Sequence, residues 1–326
     1  MDSFDYSALA SMTWDRETVN LIGTIHEYKG RLKTLPPSRS GDLQKMDGLA
    51  TAQGTKAIVT ICGFDVTGTR LSSLIRGDTA PRDKDESETL GYLTALRLIH
   101  EDYTGLLIHP SFLLQLHKEL FPRCQHAHVD KITNDPLHPE DAVGSDTRLA
   151  LYSLCDEYEK AARQYRVDPL LVIPRFIRDF LALSPFACGN ERMAVLLATL
   201  LLLQNGYAAA RYISLEEYVV LADIHTDTLL ALDDRSVTNL LLKGILYANK
   251  SFDERINAAG EDTTSRELVI NAIEQKEGFF TKSDLLVYCP TLCRATVENI
   301  LKELCHDGKI VKCGGGRSTY YMHKII

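Results

Sequence analysis

The stretch LALSPFACGNERMAVLLATLLLLQNGY (residues 181–207) places a polar turn directly before the most apolar run of the chain. A Gly-Asn step opens the run, followed by Glu191 and Arg192. The first amide groups of a helix have no partner within the helix, so such a turn can bind an anion. The same step can also be a plain cap of a buried helix, with Asn190 as the capping residue. The residues of this stretch leave both interpretations open.

The bulk composition indicates a globular protein with little affinity for polyanions. The chain has 326 residues, enough for one large domain and a small one, or for two ordinary domains. A net charge of -8 argues against a general binder of nucleic acid or anionic membranes. No signal peptide is recognisable at the N-terminus, and the apolar run at residues 193–203 is too short to cross a bilayer. We therefore expect a cytoplasmic chain without a membrane partner, with its eight cysteines reduced.

Helical spacing of apolar residues dominates the chain up to about residue 258. Residues 14–32 follow it, and the paired prolines of KTLPPSRSGD then interrupt it. Residues 122–145 are irregular, with room for a short hairpin but not for a long helix. Within them the run RCQHAH suggests a metal cluster, but no second ligand pair stands at a familiar spacing. The sequence therefore predicts no metal site.

A different pattern begins after about residue 260. It predicts three short helices followed by a two-stranded ribbon. Thr281 and Asp284 form a capping-box pattern at the second helix. The run RATVENILKEL places an apolar face on the third helix, formed by Ala295, Val297, Ile300, Leu301 and Leu304. This region closely resembles a winged helix-turn-helix module, most specifically in CRATVENILKELCHDGKI.

Upstream of this module stand the segments GTRLSSLI, LLQLHKELF and YISLEEY and the stretch SPFACGNERMAV at residues 184–195. Together they resemble the Fic family, whose members mostly transfer AMP from ATP to a hydroxyl group of a target protein. The resemblance covers about residues 15–257. The family signature is His-Pro-Phe-x-(Asp/Glu)-Gly-Asn-(Gly/Lys)-Arg-x-x-Arg. In the same register this chain reads Ser184-Pro185-Phe186-Ala187-Cys188-Gly189-Asn190-Glu191-Arg192-Met193-Ala194-Val195.

The resemblance implies a mainly α fold in which a Fic-type helical domain with a short β-hairpin flap is followed by a small α/β winged helix-turn-helix domain. Residues 1–75 are then an N-terminal helical region packing on the Fic domain, residues 76–258 the Fic-like domain, and residues 259–326 the winged helix. In the family the flap docks a segment of the target, which implies a protein partner at residues 122–145. A homodimer is a further partner left open.

Three retained positions of the signature imply an anion or nucleotide site. Gly189 and Asn190 would turn the backbone sharply, so that successive N–H groups converge on an anion at the helix start. Arg192 would add a charge-assisted hydrogen bond to a phosphate oxygen. ATP and Mg²⁺ are the ligands implied for any residual family activity, and no other cofactor is indicated.

Four working positions of the signature are altered. Ser184 replaces the histidine that serves as the general base, and losing a positioned base typically costs about 10²–10⁴ in rate. Cys188 replaces the acid that holds Mg²⁺, and a thiolate prefers soft metals. Glu191 adds a negative charge beside the expected phosphates, and Val195 replaces the second arginine. We therefore predict a binding or regulatory protein without ordinary adenylyl transfer. The alternative is an active nucleotidyl or phosphoryl transferase that modifies a protein hydroxyl through unconventional residues.

Many Fic proteins carry an inhibitory motif, (Ser/Thr)-x-x-x-Glu-(Gly/Asn), and this chain lacks the glutamate of that motif. The matching stretch is GFDVTG at residues 63–68, with Thr67 at the glutamate position. That glutamate pairs in the family with the second arginine, whose place Val195 takes. The sequence therefore predicts that the autoinhibitory pair is missing.

The C-terminal module offers a modest basic surface for DNA or a protein partner. From residue 261 onward it has 9 Lys and Arg against 9 Asp and Glu, a net charge of zero. Such a balance favours weak DNA binding at most, and contact with a protein partner is an equal alternative. The candidate contact residues are Arg294 on the third helix and Lys309, Lys312 and Arg317 around the wing.

Overall fold

The computed structural model describes residues 4–122, 142–258, 265–274, 276, 278–289, 292–315 and 319–323. Most of the expected flap, including Cys124, His126 and His128, lies outside these residues. No helix in the described parts combines the length and apolarity needed to span a bilayer.

Helices form most of the described chain up to residue 258. They are α1 (Arg16–Leu32), α2 (Ser40–Cys62), α3 (Gly68–Arg76), α4 (Lys84–Asp102), α5 (Pro110–Leu120), α6 (Ala142–Lys160), α7 (Pro169–Leu183), α8 (Asn190–Gln204), α9 (Ala209–Tyr212), α10 (Leu215–Leu221), α11 (Thr226–Ala231) and α12 (Asp234–Ala258). Short 3-10 turns at Ser7–Ala10 and Pro37–Arg39 and a π turn at Ala161–Tyr165 complete this part. The mainly α fold predicted from the sequence is confirmed.

Local sequence explains where several helices begin. Asp15, Asp83 and Asp168 are the N-caps of α1, α4 and α7, and each carboxylate accepts a hydrogen bond from a backbone N–H of the first turn. Such caps satisfy amides that have no partner inside the helix. The helix predicted within residues 14–32 is confirmed as α1, and Pro36 precedes the next turn.

The main core surrounds α8, whose side chains are buried on nearly all sides. Tyr6, Ile25 and Met46 belong to the same core, so the N-terminal region shares its packing with the rest of the helical part. Close approach of α4 to the end of α5 requires Gly91, since a Cβ atom there would lie 2.4 Å from the Glu119 carbonyl oxygen. Packing this dense leaves little room for added atoms.

The C-terminal part has its own core. It contains α13 (Ser265–Glu274), α14 (Lys282–Tyr288) and α15 (Arg294–His306), with strands β1 (Phe279–Phe280), β2 (Ile310–Cys313) and β3 (Tyr320–His323). The strands are antiparallel in the order β1-β3-β2, with Phe280 opposite Tyr321 and Val311 opposite Met322. The short strand β1 adds to the ribbon that the sequence predicts.

Two sequence-based details of this part have different outcomes. The capping box of Thr281 and Asp284 is present at α14. The apolar face predicted for α15 is correct at Val297 and at Ile300, Leu301 and Leu304, which are buried. Ala295 is exposed, so its assignment to that face was wrong. It lies in the first turn of α15, where a small side chain needs no cover.

Helix α14 docks the C-terminal part onto α2 and α3. Val287 is buried in a small apolar cluster with side chains of the helical domain: Ala52, Leu71, Ile75 and Leu93. Lys56 Nζ lies 3.4 Å from Asp284 Oδ1, and the hydroxyl oxygens of Thr69 and Ser283 are 2.6 Å apart. The two parts are thus joined by apolar burial with polar contacts around it.

Two lysines share one aromatic ring at this junction. The Nζ atoms of Lys56 and Lys276 lie 4.8 and 4.7 Å from the centre of the Tyr288 ring. Burial, together with the like charge of Lys56, lowers the pKa of Lys276 to about 8, while the carboxylates of Asp284 and Glu217 act in the opposite direction. The charged form of Lys276 is therefore disfavoured in the folded chain.

We expect Lys276→Met to raise the free energy of unfolding at neutral pH. In wild type the lysine pKa is about 8 when folded against an ordinary 10.5, so the unfolded chain binds more protons between these values. Stability should therefore rise with pH across that window, and Lys276→Met should reduce the rise. Because Lys276 is only half-buried, solvent screening keeps the effect small. Urea unfolding at several pH values measures this change in the free energy of unfolding.

Lys302→Met, at an exposed site on α15, is the control. Equal pH dependence in wild type and Lys276→Met would contradict the expectation.

Candidate functional site at the start of α8

The loop between α7 and α8 is held in an unusual backbone conformation at both ends. Ser184 has φ of 44° and Gly189 has φ of 78°, both in the left-handed region. At Gly189 a Cβ atom would also lie 2.8 Å from Cζ of Phe121. Glycine is therefore required at this position by both backbone conformation and space. A non-glycine residue rarely adopts the conformation of Ser184, so the surrounding contacts must hold it there.

Asn190 supplies those contacts. Its Oδ1 accepts a hydrogen bond from the N–H of Phe186 at 3.1 Å, and its Nδ2 donates to the Phe186 carbonyl oxygen at 2.8 Å. Nδ2 also donates to Ser184 Oγ at 3.0 Å. Gly189 is the N-cap of α8 and Asn190 is its first residue, so the interpretation of Asn190 as the capping residue was wrong. The amide side chain ties the loop back onto itself.

His117 on α5 lies beneath the same loop and was missed by the sequence analysis. Its ring stacks on Phe186 with the ring centres 4.0 Å apart and the planes 9° from parallel. Nε2 is 3.0 Å from the carbonyl oxygen of Cys188, which can only accept the hydrogen bond. Burial lowers the pKa of His117, against the effect of that hydrogen bond. The signal in the sequence was a histidine on the apolar face of α5, between Leu113 and Leu120.

Arg192 is buried and already paired. Its Nη2 lies 2.9 Å from Oε2 of Glu88 on α4, and both side chains are less than a tenth exposed. The guanidinium lies over the ring of Phe121 at 4.6 Å and over that of Phe64 at 5.5 Å. The charge expected for a phosphate oxygen is thus neutralised by a carboxylate of the protein itself. No feature of the sequence identified Glu88 as its partner.

The residues present do not fit Mg²⁺. Cys188 stands on the exposed part of the loop, and Mg²⁺ prefers hard oxygen ligands over sulfur. Within the described parts of the chain no group of three or more His, Cys, Asp or Glu side chains could hold a metal ion. The expected metal position therefore provides a thiol where the ion needs a carboxylate.

The altered second arginine position opens into an apolar cavity. Val195 is half-buried and, with Gly189, Glu191 and Arg192, lines a cavity of about 560 Å³. An aliphatic side chain at this position offers no donor to a phosphate. The site thus changes character within one turn of α8, from a polar loop to an apolar hollow.

The segment that matches the inhibitory motif reaches the site by a different contact. Thr67 is the N-cap of α3, and its side chain accepts a hydrogen bond from the N–H of Arg70 at 3.4 Å. The neighbouring Phe64 places its ring against the Arg192 guanidinium. The segment therefore contacts the start of α8 through the Phe64 ring, while Thr67 caps α3.

The remaining candidate residues belong to the C-terminal part. Arg294 pairs with Glu298 one turn along α15, with Nε 3.2 Å from Oε1. Lys309 and Lys312 are exposed beside and on β2. Arg317 lies outside the described residues. The structure thus brings Ser184, Gly189, Asn190 and Arg192 together and places Arg294, Lys309 and Lys312 on the surface of the C-terminal part.

The chain has the Fic fold, as comparison with solved structures shows. A Fic family protein from Desulfovibrio desulfuricans G20 matches with a TM-score of 0.52 and 19% identity over 96% of this chain and 97% of that one. A Fic domain containing signaling protein from Bacteroides thetaiotaomicron matches with a TM-score of 0.50 and 19% identity, over 72% and 92%. Fic-1 from C. elegans matches with a TM-score of 0.56 and 15% identity, over 76% and 74%. No protein-family model and no curated protein matches the sequence.

We expect Glu88→Ala to destabilise the chain by about 3–5 kcal/mol, because it leaves the Arg192 guanidinium buried without its partner. Removing both charges, in Glu88→Met with Arg192→Met, should recover most of that loss. Lys84→Ala is the matched control: Lys84 Nζ also faces Glu88, at 3.6 Å, but its side chain is 76% exposed, so little change is expected. Denaturant unfolding gives all three values, and a double variant as unstable as Glu88→Ala would contradict the pairing.

Proposed function

We propose that this Fic-fold chain lacks ordinary protein adenylyl transfer and acts through binding, as a regulatory protein. The observation that most supports the proposal is the Arg192–Glu88 pair, which compensates the retained arginine of the signature. The protein target at the flap, the homodimer and the cytoplasmic location stay predictions from the sequence.

The loop provides no evident general base. The hydroxyl of Ser184 is a weak base at neutral pH and accepts a hydrogen bond from Asn190. His117 contacts the loop, but its Nε2 is bound to the Cys188 carbonyl and its ring stacks on Phe186. A base must reach the proton that it removes. His117 therefore serves to hold the loop.

The electrostatics of the site also disfavour a triphosphate. Glu191 is exposed at the start of α8, close to where the phosphates would lie in the family. Arg192 contributes no uncompensated charge, since Glu88 lies 2.9 Å away. Cys188 offers no hard ligand for Mg²⁺, and Val195 offers no donor. Binding of ATP and Mg²⁺ would need charges that this set of residues does not provide.

We expect no transfer of label from ATP, labelled at its α-phosphate, to the full chain or to added proteins in the presence of Mg²⁺. Ser184→His should remain inactive, because residues of a catalytic unit act together and the metal ligand is still absent. Labelling is read by autoradiography after denaturing electrophoresis. Label that disappears in the Glu88→Met, Arg192→Met pair would contradict the proposal and favour a transferase with unconventional residues.

We also propose that the C-terminal part is a winged helix-turn-helix that contacts DNA weakly or a protein partner. Its charges on α15 are largely engaged: Glu298 pairs with Lys282 and Arg294, and Glu303 lies 3.9 Å from Arg266. Lys309 and Lys312 are exposed near the wing. Helix α14 is covered by α2 and α3, which leaves the wing and the outer face of α15 for a partner.

In a titration of the full chain with random duplex DNA, Lys309→Ala with Lys312→Ala should reduce the salt dependence of binding by up to about two phosphate contacts. Lys302→Ala on α15 is the control and should change the slope less. Fluorescence anisotropy at several salt concentrations gives the slope. Binding that Lys309→Ala with Lys312→Ala leaves unchanged would place the contact on α15, and no binding at low salt would assign the module to protein contact.

A further inference from the structure

A cavity of about 560 Å³ lies beside α8 in the helical domain. Its walls come from α2, α7, α8, α10 and α12, and residues 224–227 before and at the start of α11 complete it. The cavity is partly open to solvent, since the lining residues Glu191, His225 and Asp227 are exposed. Its volume falls within the range of about 300–1,000 Å³ that small-molecule sites occupy.

One face of α8 lines this cavity. Glu191, Val195, Ala198 and Leu202 line it, and their spacing of four, three and four residues places them on a single helix face. Val195 and Ala198 are half-buried, whereas Leu196, Leu197 and Leu200 around them are completely buried. The partial exposure in the middle of the central helix therefore comes from the cavity.

The wall formed by α10 and α12 is also closely packed. The ring of Tyr218 on α10 packs against Gly244 of α12, where a Cβ atom would lie 2.7 Å from the ring atom Cδ1. The same ring contacts Tyr247, with the ring centres 5.5 Å apart. Glycine at position 244 thus lets the tyrosine lie back against α12. Tyr218 and Gly244 both line the cavity, so this wall is closely packed.

The charges at the cavity disfavour an anion. Glu191 and Asp227 are exposed and stand at its edge. Arg192 also lines it, but Glu88 compensates that charge at 2.9 Å. His225, at the edge, lies 3.0 Å from Asp223. The remaining lining is largely aliphatic, so transfer of apolar surface from water is the main source of affinity.

We propose that this cavity binds an uncharged, predominantly apolar small molecule. The proposal names the ligand class for the binding role proposed above and rests on that role. A ligand of this class would bury its surface against Val195, Ala198 and Leu202, where the family signature places a phosphate-binding arginine. The change from arginine to valine then marks a change of ligand.

Two matched fluorescent probes test the ligand class. N-phenylnaphthylamine is uncharged, and anilinonaphthalene sulfonate has the same ring system with an added negative charge. The full wild-type chain should bind the uncharged probe saturably, at one site per chain, and the sulfonate at least about tenfold more weakly. Bound probe should also raise the temperature of thermal unfolding, because it binds only the folded chain.

Two variants locate the probe. Ala198→Phe places a ring in the hollow, so it should weaken probe binding at least about tenfold while keeping the chain folded, since the space for the ring already exists. Val195→Arg introduces a charge at the half-buried wall and should weaken binding similarly. Ala295→Phe, at an exposed position of α15, is the control and should bind as wild type does. Circular dichroism confirms that each variant is folded.

Several outcomes would overturn the assignment. These are absence of saturable binding, equal affinity for the two probes, or wild-type affinity in both Ala198→Phe and Val195→Arg. Displacement of the uncharged probe by ATP with Mg²⁺ at similar concentrations would assign the cavity to a nucleotide instead. The labelling assay for adenylyl transfer tests the proposed regulatory role, whereas probe binding tests the ligand class. The two proposals can therefore fail independently.

Discussion

The buried pair of Arg192 and Glu88 is the interaction on which the arrangement of the site depends. It joins the first turn of α8 to α4 and places the guanidinium between the rings of Phe64 and Phe121. A single buried charge would be costly, and a carboxylate at 2.9 Å makes burial tolerable. The same pairing removes the positive charge from the place where a phosphate would need it. The pair thus stabilises the core and, under the proposed function, also disfavours an anion at this position.

Hydrogen bonds within the protein also stabilise the loop before α8. Asn190 uses its amide on Phe186 and Ser184, and His117 donates to the Cys188 carbonyl from below. These bonds hold a backbone with left-handed residues at both ends. Polar groups that bind one another inside the loop have less capacity left for a ligand. The polar side chains at this loop therefore stabilise its own conformation.

Helix α2 connects the apolar cavity with the C-terminal part. Ile58 and Cys62 line the cavity, while Ala52 and Lys56 of the same helix contact α14. The two contact regions therefore share one helix. The C-terminal part has its own core, and α14 contributes Val287 to the small cluster formed with α2, α3 and α4.

The sequence by itself determined the helical class of the fold and several of its local features. These follow from short-range patterns: apolar spacing predicts α1, and a Thr and Asp three residues apart predict the capping box of α14. It did not determine that Glu88 would meet Arg192, that His117 would lie beneath the loop, or that Val195 would face a cavity. Only the tertiary structure decided these, because each depends on helices distant in the chain packing together, and no local pattern records which buried groups then become neighbours.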